Sequence, residues 1–528
     1  MKNSRFLNPK IVLLMILIAF LFQPIIPVGA TEFSQTAYIA DKTIPATVLV
    51  YSILEYSARV YIPWNTGTEE YEVNSYLAAM GSGFFVNPNG YIITNGHVVF
   101  CYESGNYKDD MVTKSYIIQD ATTLLIEYVQ QQYGITFTQE EIQYIMEFNA
   151  EYGEVEDSYR SVYIILGEAT GNIIEAKQGY TATVVAAEPF LGRDLALLKV
   201  ELSNTPALLI LESLDDVSIG EQVYALGYPA VATFHPQLSE STQLVPSFTQ
   251  GVVSAKRLTL QDISAIQHDA DITHGNSGGP LVNSEGKVIG VNNMGSITEL
   301  GLEVAGFNFA IACSVVRDFL AENGVQNYVG EATTEYEDGL AYYYAKLYST
   351  AKQKFQAVTA VFPYHWKAQQ LIQECQSKIL KGEKAESQIS ITLNLAEVKV
   401  NEEQIQVSGT LTHSSEMPIP IEIQWADIQV TIEYVKPDGT KITRTATVNA
   451  DGTFEDSITP DQAGVWTVTA YWSGNEDYSE TTSNQASFTA KEPPITWNIY
   501  LYAMIVVPIV ASIIIVLLFM TRRKMHRS

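Results

Sequence analysis

Cysteine, histidine and basic side chains are scarce in this chain. Three cysteines (Cys101, Cys313, Cys375) in 528 residues are too few for a disulfide framework, and one bridge such as Cys101–Cys313 stays open. Against 59 acidic residues stand 31 lysines and arginines, a net charge of −28. That balance argues against nucleic acid, whose phosphates need a basic surface, and suits a solvated extracellular one. No His, Cys, Asp and Glu cluster has metal-ligand spacing, so neither a metal nor a cofactor is expected. Asn449-Ala-Asp-Gly452 lacks the further carboxylates of a calcium loop.

Long apolar runs are also rare, and the two present lie near the ends. Lys2, Arg5 and Lys10 precede the run 11–22, and Pro-Val-Gly-Ala closes at Ala30. Residues 1–30 read as a secretory leader with a small-residue cleavage site; an uncleaved anchor is the alternative. Residues 499–520 carry no charge, and 22 residues at about 1.5 Å each can cross a bilayer core. Trp497, Tyr500 and Tyr502 edge this run, as interfacial aromatics do. Arg522, Arg523, Lys524 and Arg527 follow it, which places the tail 521–528 in the cytoplasm and everything between the two runs outside it. A lipid bilayer is thus one expected partner, held through the C-terminal helix.

The chemistry concentrates in Asp269–Leu281, DADITHGNSGGPL. Ser277 stands among glycines, whose freedom lets several backbone N–H groups aim at one point. A serine hydroxyl needs a base to take its proton and donors for the oxyanion that forms after attack. The same residues fit G-x-S-x-G, the elbow of α/β-hydrolases, which requires its acid and then its histidine downstream. Only His365, His413 and His526 come after Ser277, in a helical segment, a β-rich segment and the tail. The opposite order is present: His97 in Thr94-Asn-Gly-His-Val-Val99, then Asp194 in Arg193-Asp-Leu-Ala-Leu-Leu-Lys-Val200, then Ser277. That order belongs to chymotrypsin-like barrels. Asp194 opens an apolar run, and a buried carboxylate must be paired; an imidazole N–H would satisfy it and fix the tautomer. From Ile44 onward, short strands between turn residues predict an all-β region.

With GSGFFV at 81–86, VYALGYP at 223–229, TQGVVSAKR at 249–257 and GFNFAIACSVV at 306–316, the chain resembles the HtrA/Deg family of trypsin-like serine proteases from about residue 44 to 320. The resemblance implies two six-stranded antiparallel barrels over a protease domain at 31–328, with the active site in the cleft between them. It implies His97 as general base, Asp194 as its orienter and Ser277 as nucleophile, with the N–H groups of Gly275 and Ser277 as oxyanion hole. Asp271, six residues before Ser277, falls where trypsin-like enzymes line the base of the primary pocket. A buried carboxylate there would select a basic side chain, whereas HtrA-type relatives more often take small aliphatic ones. Protein or peptide substrates, and a homo-oligomer such as a trimer, are further implications.

The chain departs from the family twice. His97 and Asp194 lie 97 residues apart, the excess being an acidic, tyrosine-rich insertion at 102–163. Helical periodicity predicts helices over 120–133 and 138–152 around Gly134, the second with a Thr138/Glu141 capping box. Emerging beside His97, the insertion reads as a lid or as a surface decoration. The second departure is that no PDZ pattern comes after residue 320. Instead 331–383 turns helical, with Gly339, Tyr342, Ala351, Phe355 and Pro363 at tetratricopeptide-like spacing, a spacer or partner-binding unit. Alternation returns over 387–490, where Trp466, Val468, Ala470 and Trp472 point one way and hairpin turns recur, predicting an immunoglobulin-like β-sandwich. The expected whole is a membrane-anchored, extracytoplasmic serine endopeptidase for quality control or surface-protein processing. The alternative is a catalytically silent protease fold serving as a surface binding or chaperone-like protein.

Overall fold

The computed structural model describes residues 34–104, 106–167, 179–233, 244–297, 303–414, 421, 423–493 and 499–525. The leader expected at 1–30 lies outside these residues. The chain divides into two compact units, Met1–Lys381 and Gly382–Ser528.

The first unit opens with helix α1 (Gln35–Thr43) and then a closed barrel. Its strands are β1 (Thr47–Trp64), β2 (Gly67–Phe85), β3 (Tyr91–Thr94), β4 (Glu154–Ile165), β5 (Tyr180–Ala187) and β6 (Ala196–Val200), ordered β1-β2-β3-β6-β5-β4. Strands β7 (Gln222–Gly227), β8 (Ser247–Leu258), β9 (Ser264–His268), β10 (Pro280–Asn283), β11 (Val288–Ile297) and β12 (Glu303–Ala312) close a second barrel. Both barrels are antiparallel, as the motif order implied. Period-two alternation builds two cores from one set of strands. Phe85, Ile92 and Leu198 fill the first barrel, while their neighbours Phe84, Ile93 and Leu197 join Leu226, Val282 and Val291 of the second in a shared core. That shared core fixes the two barrels against each other and so fixes whatever their facing loops carry.

Two of the strands are longer than the short strands expected. β1 has 18 residues and β2 has 19, so the hairpin runs far beyond the barrel. The insertion explains how it survives. Helix α2 (Met111–Tyr133) starts well ahead of residue 120, with Asp110 as its N-cap. Helix α3 (Gln139–Tyr152) has the expected Thr138/Glu141 capping box. Ile117, Ala121, Leu125 and Val129 of α2 bury Leu54, Tyr56, Ala58, Val60 and Ile62, the even-numbered face of β1. Tyr56 donates to Asp120 at 2.6 Å. Past Arg59, β1 has no strand partner on its β4 side, and the Asn149 amide pairs with both the N–H and C=O of Tyr61 at 2.7 and 2.8 Å. Such a bare edge otherwise invites pairing with another chain.

Helices α4 (Cys313–Glu322), α5 (Glu331–Tyr344), α6 (Tyr348–Val361) and α7 (Trp366–Leu380) complete this unit. The segment read as a spacer packs back onto the barrels: Tyr336 donates to the Asp41 carbonyl at 2.8 Å, Lys367 pairs with Asp41, and the Thr333 hydroxyl accepts from Ala207 N–H. Gly339 lies against Phe355, as a small-aromatic contact between paired helices requires.

The second unit holds a three-stranded sheet, whose strands lie in the order Ser387–Leu393, Ile405–His413, Thr453–Ile458, and a six-stranded sheet. Trp466, Val468, Ala470 and Trp472 form the buried face of the Gly464–Trp472 strand in the six-stranded sheet. A last helix, Ile499–Met525, is long and apolar enough to cross a membrane.

Candidate active site

His97 opens a single 3-10 turn, His97–Val99, directly after β3. Its carboxylate partner sits just ahead of β6, the strand that pairs with β3 in register Thr94↔Ala196. Sheet pairing therefore brings together two residues that are 97 positions apart. Asp194 is 1 % exposed and gives both oxygens to one residue: Oδ1 accepts from the His97 backbone N–H at 2.9 Å, and Oδ2 faces Nδ1 at 2.8 Å. A carboxylate only accepts, so the Nδ1 proton belongs to this contact and Nε2 is left with a free lone pair. Asp194 pays for the geometry with a left-handed backbone, φ 49°, a conformation Asp tolerates better than most residues. The Asn95 amide holds it there through the Asp194 carbonyl at 2.9 Å. Phe190 meets the His97 ring edge-on, centroids 5.9 Å apart.

Ser277 arrives from the second barrel, on the loop between β9 and β10. Gly275 and Gly278 have φ of 101° and 86°, values that disfavour any side chain. Contacts across the barrel boundary locate the loop. A Cβ on Gly278 would fall 2.3 Å from Thr94 Oγ1 and 2.9 Å from Asn95 N, so the residue after Ser277 touches the two residues that lead to His97. A Cβ on Gly81 would strike both Val98 and the Ser277 carbonyl. Ser82 fastens the loop from beneath: its N–H donates to the Ser277 carbonyl at 2.7 Å and its hydroxyl to the Gly275 carbonyl at 2.7 Å, while that hydroxyl accepts from Tyr228 N–H at 2.8 Å.

The peptide before Gly275 is oriented from its other side. Ala230 N–H donates to the His274 carbonyl at 2.7 Å; in a trans peptide this turns the Gly275 N–H the opposite way. Among the described residues, no hydrogen bond takes up the N–H of Gly275 or Ser277. Two donors are therefore available beside one hydroxyl. That hydroxyl donates to the Asn293 carbonyl at 2.8 Å.

Asp110, the buried N-cap of α2, was not singled out from the sequence. Its carboxylate accepts from the N–H groups of Tyr102, Glu103, Ser104 and Thr113. Burial works to raise its pKa, and the four donors outweigh burial and lower it. Arg160 of β4 donates to the Val99 carbonyl at 2.7 Å, and Thr113 to that of Phe100. The insertion is thus joined to the His97 turn at two points.

The remaining candidates do not converge on Ser277. Asp271 is exposed, so the buried carboxylate that would select a basic side chain is not present. His274 is also exposed. His268 is buried within the second barrel, and burial depresses it to about 4. Cys101 and Cys313 are both buried and form no disulfide, so the Cys101–Cys313 bridge is absent. Burial pushes the Cys101 thiol up to about 12, which keeps it from being a nucleophile. Among the described residues no His, Cys, Asp and Glu group could hold a metal ion. Sequence reading missed Ser82, Asn95 and Asn293; the first two lay inside motifs noted for their neighbours.

Residues 81–291 match the family described as trypsin-like peptidase domain. Serine protease HTRA1A of Danio rerio is 37% identical over 164 residues, 31% of this chain and 31% of that protein. Serine protease HTR4 of Bos taurus is 39% identical over 166 residues, again 31% of each. The matches thus span about a third of the length of these curated relatives. A solved HtrA-type protease AlgW with decapeptide aligns at a TM-score of 0.31 and 20% identity, over 55% of this chain and 67% of that one; a score that low carries no argument about fold. The two barrels stand on their own strand pairing.

Proposed function

We propose that the peptidase domain is a working serine endopeptidase, of HtrA type, held at the outer face of a membrane. His97 Nε2 takes the Ser277 proton, Asp194 keeps the imidazole in the tautomer that allows it, and Ser277 Oγ attacks the scissile carbonyl. The N–H groups of Gly275 and Ser277 receive the oxyanion; a donor of this kind contributes on the order of 3 kcal/mol to the transition state. His97 then returns the proton to the leaving amine. Asp271 is not assigned a role in selecting a basic residue.

The observation that carries this reading is the junction of Gly278 with Thr94 and Asn95. It sets the serine loop against the histidine turn while two N–H groups beside Ser277 stay unengaged. In this reading Ser277 Oγ leaves its bond to the Asn293 carbonyl to meet His97 Nε2, and staggered serine rotamers interconvert rapidly. Residues 387–490 form an immunoglobulin-like stalk in this reading. The helix 499–525 is the anchor, its basic C-terminal end facing the cytoplasm, so the catalytic face is extracytoplasmic.

The Ser277–Asn293 bond also favours a second reading, a protease fold that binds without cutting. A fluorophosphonate probe separates the two. Labelling of the wild-type protein and none of Ser277→Ala supports the enzyme; no labelling of either supports the binder.

A further inference from the structure

The hairpin that extends past the first barrel has two faces. Its even-numbered residues in β1 are buried under α2 and α3. On the odd-numbered face Tyr51, Ile53 and Ser57 are half-buried and Glu55 is exposed, and this face begins at the proposed catalytic loop. There Leu49 and Ile165 are buried with Tyr228 of the second barrel, and Met80 packs against them. Met80 is also in reach of the oxyanion loop: its Cε lies 3.2 Å from where a Cβ on Gly275 would be.

Strand register places the next residues outward on the same face. Tyr51 pairs with Met80 and Tyr163, and two rungs on, Glu55 pairs with Tyr76 on one side and Tyr159 on the other. Tyr76 and Tyr159 are 61 % and 64 % exposed. Together with Asp157 and Asn74 they border a shallow cleft of about 460 Å³. Glu55 has no hydrogen bond or ion pair among the described residues. Of the acidic side chains around it, Asp157 is engaged by Lys108 and Glu70, Glu154 and Glu156 by Arg59, while Glu72 accepts from Ser57 and Asn74 only.

A lone carboxylate between two exposed phenol rings is a receptor for a cation. The ring faces attract it through their quadrupoles and the carboxylate by charge, and an extended chain can lie along the strands to reach it. From Met80 to Tyr76 is four residues, about 13 Å at roughly 3.3 Å per strand residue. An extended substrate covers that distance in about four residues.

We propose that this face is a docking track for the polypeptide being cut, and that the Tyr76–Glu55–Tyr159 rung takes a lysine or arginine four to six residues from the scissile bond. The proposal rests on the endopeptidase reading. The track is continuous with the catalytic loop, and its unneutralised carboxylates, Glu55 on the rung and Glu72 beyond it, are complementary to a basic side chain. A second copy of this chain seated on the face is the competing occupant.

The test uses the full-length protein in detergent, a proteome-derived peptide library and mass-spectrometric mapping of cut sites. Wild type should show lysine and arginine enriched at four to six residues from the cut. Glu55→Gln should lose most of that enrichment while fluorophosphonate labelling of Ser277 is unchanged. Matched peptides with lysine or alanine at the mapped position should differ in kcat/KM by about three- to tenfold, the range for one exposed ion pair with aromatic support. Raising salt should shrink the difference. Tyr76→Ala with Tyr159→Ala should reduce it further. Labelling and cutting without enrichment would overturn the track and leave the endopeptidase standing. Absence of both labelling and cutting would overturn the two together. A change in oligomeric state in Glu55→Gln or the double tyrosine variant would assign the face to a second copy and overturn the proposal.

Discussion

Replacing Ser82 with alanine isolates what holds the serine loop in shape. Ser82 is wholly buried, and its hydroxyl serves two backbone groups at once, the Gly275 carbonyl and the Tyr228 N–H, at 2.7 and 2.8 Å. Alanine keeps the backbone bond from residue 82 to Ser277 but strands both of those groups. Each buried polar group left without a partner costs about 1–3 kcal/mol, so the two together cost about 2–4 kcal/mol once a little relaxation is allowed. The cost falls on the loop conformation that aims the Gly275 N–H, because the loop can turn away while the barrels stay folded. A shift of about 2 kcal/mol in that local equilibrium would slow fluorophosphonate labelling of Ser277 by roughly thirtyfold. Thermal unfolding of the same sample reports the global share. The expected result is a labelling rate down tenfold or more beside a modest loss of Tm. Threonine is no rescue, since Gly227 and Gly279 crowd Ser82 on both sides. A Ser82→Ala protein with a lowered Tm but an undiminished labelling rate would refute the reasoning, and Ser82 would then be fold support only.

Two further outcomes concern buried ionisable groups. Asp110→Ala removes a carboxylate that serves four N–H groups, and should lower stability by about 3 kcal/mol or more and slow labelling, because 101–104 leads straight from the His97 turn; scanning calorimetry with the labelling assay checks both. His268 is held neutral by burial, its pKa depressed from 6.5 to about 4. The unfolded state then binds the extra proton first. The stabilising contribution is complete above about pH 6.5 and fades as pH falls toward 4, reaching about 3 kcal/mol. Tm measured from pH 7 to 4 should fall less steeply in His268→Leu than in wild type.

The candidate-site motifs were legible because each couples a local backbone need to a chemical one. Gly275 and Gly278 require positive φ, and Asp194 opens an apolar strand where a charge must find a partner. Such pairings leave marks in the residues themselves. Ser82 and Asn95 left fainter ones: both act through backbone groups of residues far along the chain, and no spacing rule links position 82 to position 275. Asp271 shows the opposite failure. Its distance from Ser277 matched a pocket position, but exposure depends on how the 269–274 loop turns, which the spacing does not determine. The helices at 331–380 were visible by period. Their seat on the barrels was not, because it depends on Asp41 and Ala207, which look unremarkable in sequence.

The insertion and the long hairpin explain each other. A two-stranded ribbon projecting from a barrel is marginal alone, and needs a third strand or a helix on its apolar face. β4 supplies the strand as far as Arg59, α2 and α3 cover Leu54 through Ile62, and Asn149 closes the remaining edge. Cutting out 103–160 would therefore expose five core residues of β1 and report on folding before it reported on access to the site. A lid reading also meets a geometric objection, since the helices lie on the face of β1 opposite the one that leads to Met80 and Gly275. The insertion backs the sheet. What it leaves open is the tyrosine-lined face, so the same helices that stabilise the hairpin also keep that surface extended beside the serine loop.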